Sequence, residues 1–365
     1  MATLQLRSPD LQRLLRRVQR PWLRYVEQRA LGRYTLLAGR LLEQLARDGQ
    51  AELPSGAGHV ASGLITRSDV VVLLLADSPA GAPARVLKLP LTPDAERSTT
   101  LHRQVVASLQ AMPMLRSFYS LMPRPLAWGT FEGQSYYLET ALAGEAASDL
   151  VRRGTAPASF KHDAVRAIRQ LHLGTAQRRV IDAAAFGRLA GDDLATLYQH
   201  SERWPSATLV RDALQSLEAL LRRRLIGADL PFGWIHGDYW PGNILTQPGG
   251  LGGIIDWDRA LPNQLPLLDI VHLLAYVRKM QQHTELGEEI VNYLLPAAFD
   301  QAERALLDET LGYYGLPDDP EFWRAAIYLY WLRFAAANLA RYPRLQNDTF
   351  WLSKNVLTVL KRNLI

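Results

Sequence analysis

The sequence contains no cysteine, which excludes a disulfide framework and any thiolate metal centre. Long apolar runs are missing too. The longest, such as VVVLLLA at residues 70–76, fall far short of the roughly 20 residues that span a bilayer. No succession of charged, apolar and small residues marks a signal peptide. The expectation is a soluble protein without a transmembrane segment, cytoplasmic by default. Lysine is scarce, with five residues against thirty-six arginines. No internal repeat or low-complexity segment is evident. The net charge of +5 is unevenly spread, because residues 1–52 hold ten Arg against five acidic residues, the whole of the excess. An Arg-rich amphipathic start could meet acidic lipid or nucleic acid. Aromatic interleaving and glycine spacing for nucleic acid are lacking, so the stretch reads as a solvated helical face and no nucleic-acid partner is expected.

With 365 residues and 48% hydrophobic composition the chain can bury a sizeable core in one or two domains. One stretch organises it, FGWIHGDYWPGNILTQPGGLGGIIDWD at residues 232–258. Its ILT reads as a strand, QPGGLG as a turn, and residues 253–257 as a returning strand. If the loop is residues 247–252, Thr246 faces Gly253, Ile244 faces Ile255 and Asn243 faces Asp256. Opposed residues on one face have Cβ atoms about 4.5–5.5 Å apart. An amide oxygen and a carboxylate would then converge, which suits a Mg²⁺ that keeps waters and takes its remaining ligands from nucleotide phosphates. Asp238 precedes the hairpin in a Pro/Gly-kinked loop, free of the ladder.

A catalytic Asp five residues before a metal-binding Asn, with a second metal-binding Asp on the next hairpin, is the protein-kinase arrangement, and Asp238, Asn243 and Asp256 repeat it. HGDYWPGN followed by IIDWDRA and LLDIVHLL resembles the aminoglycoside phosphotransferase and choline kinase superfamily of small-molecule kinases. That resemblance implies ATP and Mg²⁺, with Asp238 as the base that orients the acceptor hydroxyl. His236 reads as a hydrogen-bonded brace for the loop. Asp258 is a carboxylate behind the metal ligands or a surface group. Asp269 could serve the dipole of its helix alone, although the resemblance suggests that it buttresses the catalytic loop.

The rest of the chain is read around this centre. Leu11, Leu14, Leu15 and Val18 form one helical stripe, and a second helix spans residues 22–46, stopped by Asp48 and Gly49. From about residue 58 strands take over, ending in RVLKLP. Lys88 is a compact charge suited to nucleotide phosphates, or else a snorkelling strand residue. No GxGxxG precedes it, only ASGLITRSD. A helix over residues 93–112 with a stripe of Leu101, Val105, Leu109 and Met112 puts Gln104 on the flank of that stripe and Glu96 away from it. Gln104 therefore stands where a kinase has the Glu that pairs with its Lys. SYYLETALAG resembles the kinase hinge, which implies that backbone groups of Glu139 to Ala141 pair with adenine. Further helices are expected over residues 162–171, 212–225, 266–283, 285–299 and 321–341, the last with rings that read as core rather than as a cage for a quaternary ammonium.

The expected fold is α+β and two-lobed, protein-kinase-like: a helical extension (residues 1–52), a small α/β lobe (53–141) and a large, mainly helical lobe (142–365). The expected function is transfer of the ATP γ-phosphoryl group to a hydroxyl of a small molecule. Residues 281–365 are only mildly acidic, eleven acidic against eight basic, so a cationic aminoglycoside acceptor is not implied, and sugars, amino alcohols and other metabolites stay open. Two rivals stand beside this reading. A catalytically silent nucleotide-binding regulator is motivated by Gln104 and by the poor glycine loop, and a metal hydrolase could be built on His236, Asp238, Asp256 and Asp258.

Overall fold

Alternation in VVVLLLA sets up the first layer. In the computed structural model, which describes residues 31–49, 59–66 and 68–363, β1 (His59–Ile65), β2 (Val70–Ala76), β3 (Pro83–Pro90), β4 (Pro125–Phe131) and β5 (Gln134–Thr140) form an antiparallel sheet in the order β1-β2-β3-β5-β4. Val71, Leu73 and Leu75 point to one face, joined there by Leu87, Leu89 and Leu138. Helix α1, residues 31–47, covers this face with Ala38, Leu41, Leu42 and Leu45. A period of two thus meets a period of 3.6, and each buried aliphatic side chain contributes about 1.5–3 kcal/mol. The expected stripe from Leu11 to Val18, and the start of the second expected helix, lie outside the described residues.

The opposite face carries Lys88, Tyr137 and Glu139, and α2 (Pro93–Gln110) lies on it. The buried stripe of α2 is only in part the expected one, with Val105 and Leu109 buried as expected. Leu101 is 49% exposed, whereas His102, Val105 and Val106 are buried. The helix is turned so that His102 reaches Glu139 and Tyr137.

By internal packing the described residues fall into two units: those up to Ser108 with Pro123–Leu142, and Leu109–Met122 with those from Ala143 onward. The second unit is mainly helical. After the 3-10 stretch Pro113–Leu121 it continues with β6 (Glu145–Ala146), α3 (Ala147–Arg153), α4 (Phe160–Thr175), β7 (Gln177–Val180), α5 (Ala183–Phe186), α6 (Asp192–Ser201) and α7 (Ala207–Leu225). Strands β8 (Asp229–Ile235), β9 (Ile244–Gln247), β10 (Gly250–Ile254) and β11 (Leu261–Gln264) follow, in two small antiparallel sheets ordered β10-β9-β6 and β11-β8-β7. The chain closes with α8 (Leu267–Gln282), α9 (Leu286–Glu289), α10 (Gln301–Tyr314), α11 (Pro320–Arg341), α12 (Thr349–Leu352) and α13 (Thr358–Asn363). The rings of α11 are core: Phe322, Tyr328 and Trp331 are buried, and Trp331 Nε1 donates to Asn355 O at 2.7 Å. Among the described residues no helix is long and apolar enough to cross a membrane.

Candidate active site

Strand β8 delivers the chain into the HGD turn, and three buried side chains fix that turn. Gly237 adopts φ +74°, and a Cβ there would stand 2.2 Å from Arg259 O. Only glycine fits. Gly237→Ala is expected to lower stability by at least about 1–2 kcal/mol from the left-handed backbone alone, with further loss from the clash, and to depress turnover. Urea unfolding combined with an activity assay checks both.

Asp269, in the first turn of α8 and 1% exposed, holds the turn from behind. Its Oδ2 accepts the His236 N–H at 2.7 Å, and its Oδ1 accepts the Gly237 N–H at 2.9 Å. His172 Nε2 donates to Oδ2 at 3.1 Å, and Tyr314 O–H meets His172 Nδ1 at 2.5 Å. Burial alone would raise the Asp269 carboxyl, yet the His172 bond, the electrostatic pull of the His172 and His236 rings and the His236 N–H hold it below the usual carboxylate range. His236 is fully buried against Trp257, with ring centroids 4.5 Å apart. Its Nε2 donates to Ile255 O at 2.9 Å and its Nδ1 accepts the Asp238 N–H at 3.3 Å. Both ring nitrogens are therefore engaged, which removes the first ligand from the hydrolase reading.

Asp238 is presented by this braced turn. Asn243 Nδ2 donates to its Oδ2 at 3.2 Å and to its backbone carbonyl at 3.0 Å. Oδ1 faces Arg259 at 3.9 Å and His272 Nε2 at 3.6 Å, distances too long for hydrogen bonds. His272 is buried, stacked on Tyr276 and bonded through Nδ1 to Tyr330 O–H at 3.2 Å. Burial lowers its pKa to about 4 in spite of the pull of Asp238, so a neutral ring faces the carboxylate at ordinary pH.

The hairpin differs from the expected register. Its turn is two residues, Pro248 and Gly249, and Gly250 pairs with Gln247, Leu251 with Thr246, Gly253 with Leu245 and Ile254 with Ile244. A bulge at Gly252 takes up the extra residue, where a Cβ would meet Ala143 O at 1.8 Å. Asn243 consequently faces Ile255, whose N–H donates to Asn243 O at 2.9 Å. Asp256 lies one residue beyond the ladder, exposed, at φ +61° and leading into the turn Trp257–Arg259. The ladder thus does not oppose Asn243 and Asp256. What remains for a cation is the donor chemistry. Asn243 turns its amide N–H to Asp238, leaving its oxygen edge for other partners, and Asp256 is an exposed carboxylate. Two oxygen donors suit a hard divalent cation that completes its shell with water and phosphate. Asp258 borders a cavity of about 500 Å³.

In the first unit, Lys88 does not pair with Gln104. Gln104 is exposed, lying about 200° around α2 from the buried His102. Glu139 on β5 takes the role: its Oε1 is 2.8 Å from Lys88 Nζ, and His102 Nε2 lies 2.7 Å from its Oε2. All three side chains are buried. Burial would raise the Glu139 carboxyl, but Lys88 and His102 bring it down to about 2. The hinge expectation needs correction as well. Glu139 lies within the ladder opposite Val86 and Pro125, and Ala141 has committed its N–H to Ala84 O at 2.9 Å. His102, His172, His272 and Arg259 were not foreseen. Each acts through a partner remote in sequence, apart from the carbonyl of Arg259, for which the glycine at 237 was the available sign.

A family model described as the phosphotransferase enzyme family, APH, matches residues 68–307. No curated protein matches the sequence. Among solved structures, a thermostable mutant of aminoglycoside phosphotransferase APH(4)-Ia in ternary complex with AMP-PNP and hygromycin B aligns with a TM-score of 0.56 at 14% identity, over 88% of this chain and 98% of that one. The GDP complex of wild-type aminoglycoside 2'-phosphotransferase-IIIa aligns with a TM-score of 0.54 at 13% identity, over 88% and 96%. At these identities the likeness shows the fold, the two-lobed, protein-kinase-like α+β architecture expected above.

Proposed function

The chain belongs to the phosphotransferase enzyme family, and from that premise we propose that it moves the γ-phosphoryl group of ATP onto a hydroxyl of a small molecule. The observation that carries this is Asp238, held by the Asn243 amide at 3.2 Å in a turn clamped by buried Asp269. A carboxylate fixed on one oxygen offers the other to a hydroxyl proton. The acceptor oxygen forms a bond to the γ-phosphorus while the bond to the bridging β-oxygen breaks, ADP leaves, and the proton passes to Asp238 and then to water. Lys88, oriented by Glu139, addresses the α- and β-phosphates. Asn243 and Asp256 would hold Mg²⁺, which supplies charge neutralisation on the phosphates. Positioning and electrostatics carry most of the rate. The similar solved structures hold AMP-PNP or GDP, which fits a nucleotide donor.

The silent-regulator reading rests on Gln104 and on the missing glycine loop, and with Glu139 as a full carboxylate partner for Lys88 the first of these motives falls away. Titration of the purified protein with Mg·ATP and Mg·GTP, followed by ADP release with a panel of small alcohols, tests the proposal. Lys88→Met is expected to weaken Mg·ATP binding by about 1.5–3 kcal/mol, the size of a lost charged hydrogen bond, and to slow hydrolysis in parallel. No Mg·nucleotide binding by the folded wild type would end this reading.

A further inference from the structure

The cavity of about 500 Å³ lies within the second unit and is bordered by Gly237 and Arg259, the residue before Asp238 and the cation 3.9 Å from it. Its volume suits a small metabolite. Its charged lining is four arginines, Arg188, Arg259, Arg333 and Arg341, against three aspartates, Asp192, Asp193 and Asp258. Arg333 and Arg341 come from α11, about 80° apart around the helix, and Arg188 from the π-helical stretch Gly187–Gly191 between α5 and α6.

Arg333 is the informative one. Its side chain is 23% exposed, its Nε stands 3.7 Å from Asp193 Oδ2, and its Nη1 is buried with no hydrogen-bond partner among the described residues. Burial lowers the guanidinium from its ordinary value, and Asp193 offsets this only in part. A buried N–H left without an acceptor is costly, so a guanidinium kept in this state on a cavity wall points to an acceptor that arrives with the ligand. Arg188 and Arg341 are exposed and make no ion pair among the described residues. Asp192, Asp193 and Asp258 border the same cavity, but Asp193 is already turned to Arg333. An ammonium-bearing acceptor would meet four guanidiniums against three carboxylates, one of which, Asp193, is already paired with Arg333.

We propose that the acceptor is a hydroxyl compound that also carries an oxyanion, carboxylate or phosphate, and that Arg333 holds this group while Arg188 and Arg341 draw it in; this rests on the phosphotransfer reading above. The planar fork of a guanidinium matches two oxygens of either anion. The hydroxyl would then lie at the Gly237 and Arg259 end, beside the turn that carries Asp238 and next to the guanidinium 3.9 Å from its Oδ1.

The test uses the full chain and two matched sets of probes. One is D-glucose, D-glucosamine, D-gluconate and D-glucose 6-phosphate; the other is glycerol, 2-amino-1,3-propanediol, D-glycerate and glycerol 3-phosphate. Binding is measured by calorimetry and kcat/KM by ADP release with Mg·ATP, for wild type, Arg333→Met and the double exchange Arg188→Gln/Arg341→Gln. Within each set the acids are expected to bind more tightly than the neutral parent, with the ammonium compound last. Arg333→Met should weaken acid binding about 10- to 100-fold and leave the neutral parent unchanged. The double exchange touches only exposed side chains and should weaken the acids severalfold, which keeps the test open should Arg333→Met not fold. Preference between the carboxylate and the phosphate member identifies the anion. Tighter binding of the ammonium compounds, acids no tighter than their neutral parents, or acids held equally by wild type and variants would overturn the proposal. Arg333-dependent acid binding with no phosphorylation beyond that of Asp238→Asn would instead sink the phosphotransfer reading and leave the anion site standing.

Discussion

Asp238→Asn is expected to lower kcat by about 10²- to 10⁴-fold, the usual worth of a positioned general base, while Mg·ATP affinity barely changes. The substitution keeps size and shape, so the braced turn should survive. His236 and Gly237 still donate their N–H groups to Asp269, and the Asn243 amide still has the backbone carbonyl of residue 238 at 3.0 Å. What is lost is the oxygen that takes the proton. The partition between steps is the diagnostic part, because Asp238 addresses the acceptor and not the nucleotide. Single-turnover phosphoryl transfer and nucleotide titration on the same folded sample separate the two. A variant that transfers phosphate as fast as wild type would remove Asp238 from the chemistry, and one that no longer binds Mg·ATP would move it to the nucleotide site.

The HGD turn is legible because its contacts are local. His236, Asp238 and Asn243 lie within eight residues, and the structure brings them together through the Asp238 N–H to His236 and the Asn243 amide to Asp238. Asp269 could be suspected from its place at a helix start, but its bonds to His236 and Gly237 span some thirty residues and no local pattern reveals them. The hairpin failed on one detail. QPGG closes as a two-residue turn with Gly249 and Gly250 at positive φ, and the surplus residue becomes a bulge at Gly252 where the backbone passes Ala143. A longer loop satisfied the same apolar pattern, so only this close approach distinguishes the two registers.

The error on α2 has a similar root. Counting apolar residues favours Leu101 over His102 on the buried side, because a histidine has no reason to be inside until its partner is known. That partner, Glu139, arrives thirty-seven residues later on β5. Once His102 faces the sheet, Gln104 must face away. By contrast, α10 carries a readable start, since Asp300 and Glu303 form a reciprocal capping box. Residues before 31 lie outside the described part of the chain, so the charge excess there has no structural counterpart to set beside it.

Glu139→Ala is the exchange expected to cost most in stability, about 3–5 kcal/mol, since removing one partner of a buried pair strands the other charge. Lys88 would remain with 11% of its side chain exposed and no carboxylate at 2.8 Å, and His102 would lose its acceptor at 2.7 Å. The Glu139 carboxyl, held at about 2 when folded against 4.5 as its ordinary value, points the same way. Because the folded value is depressed, this contribution is complete above pH 4.5 and is lost as pH falls through about 2. Wild-type stability should therefore drop more steeply than that of Glu139→Gln between these limits. Asp269 is shifted in the same direction but is present in both proteins, so its share cancels in the difference. Urea unfolding of wild type, Glu139→Ala and Glu139→Gln across this range measures both effects. Parallel pH curves, or a loss below about 1 kcal/mol for Glu139→Ala, would mean that Lys88 and Glu139 behave as a solvent-screened surface pair rather than as the buried brace of the first unit.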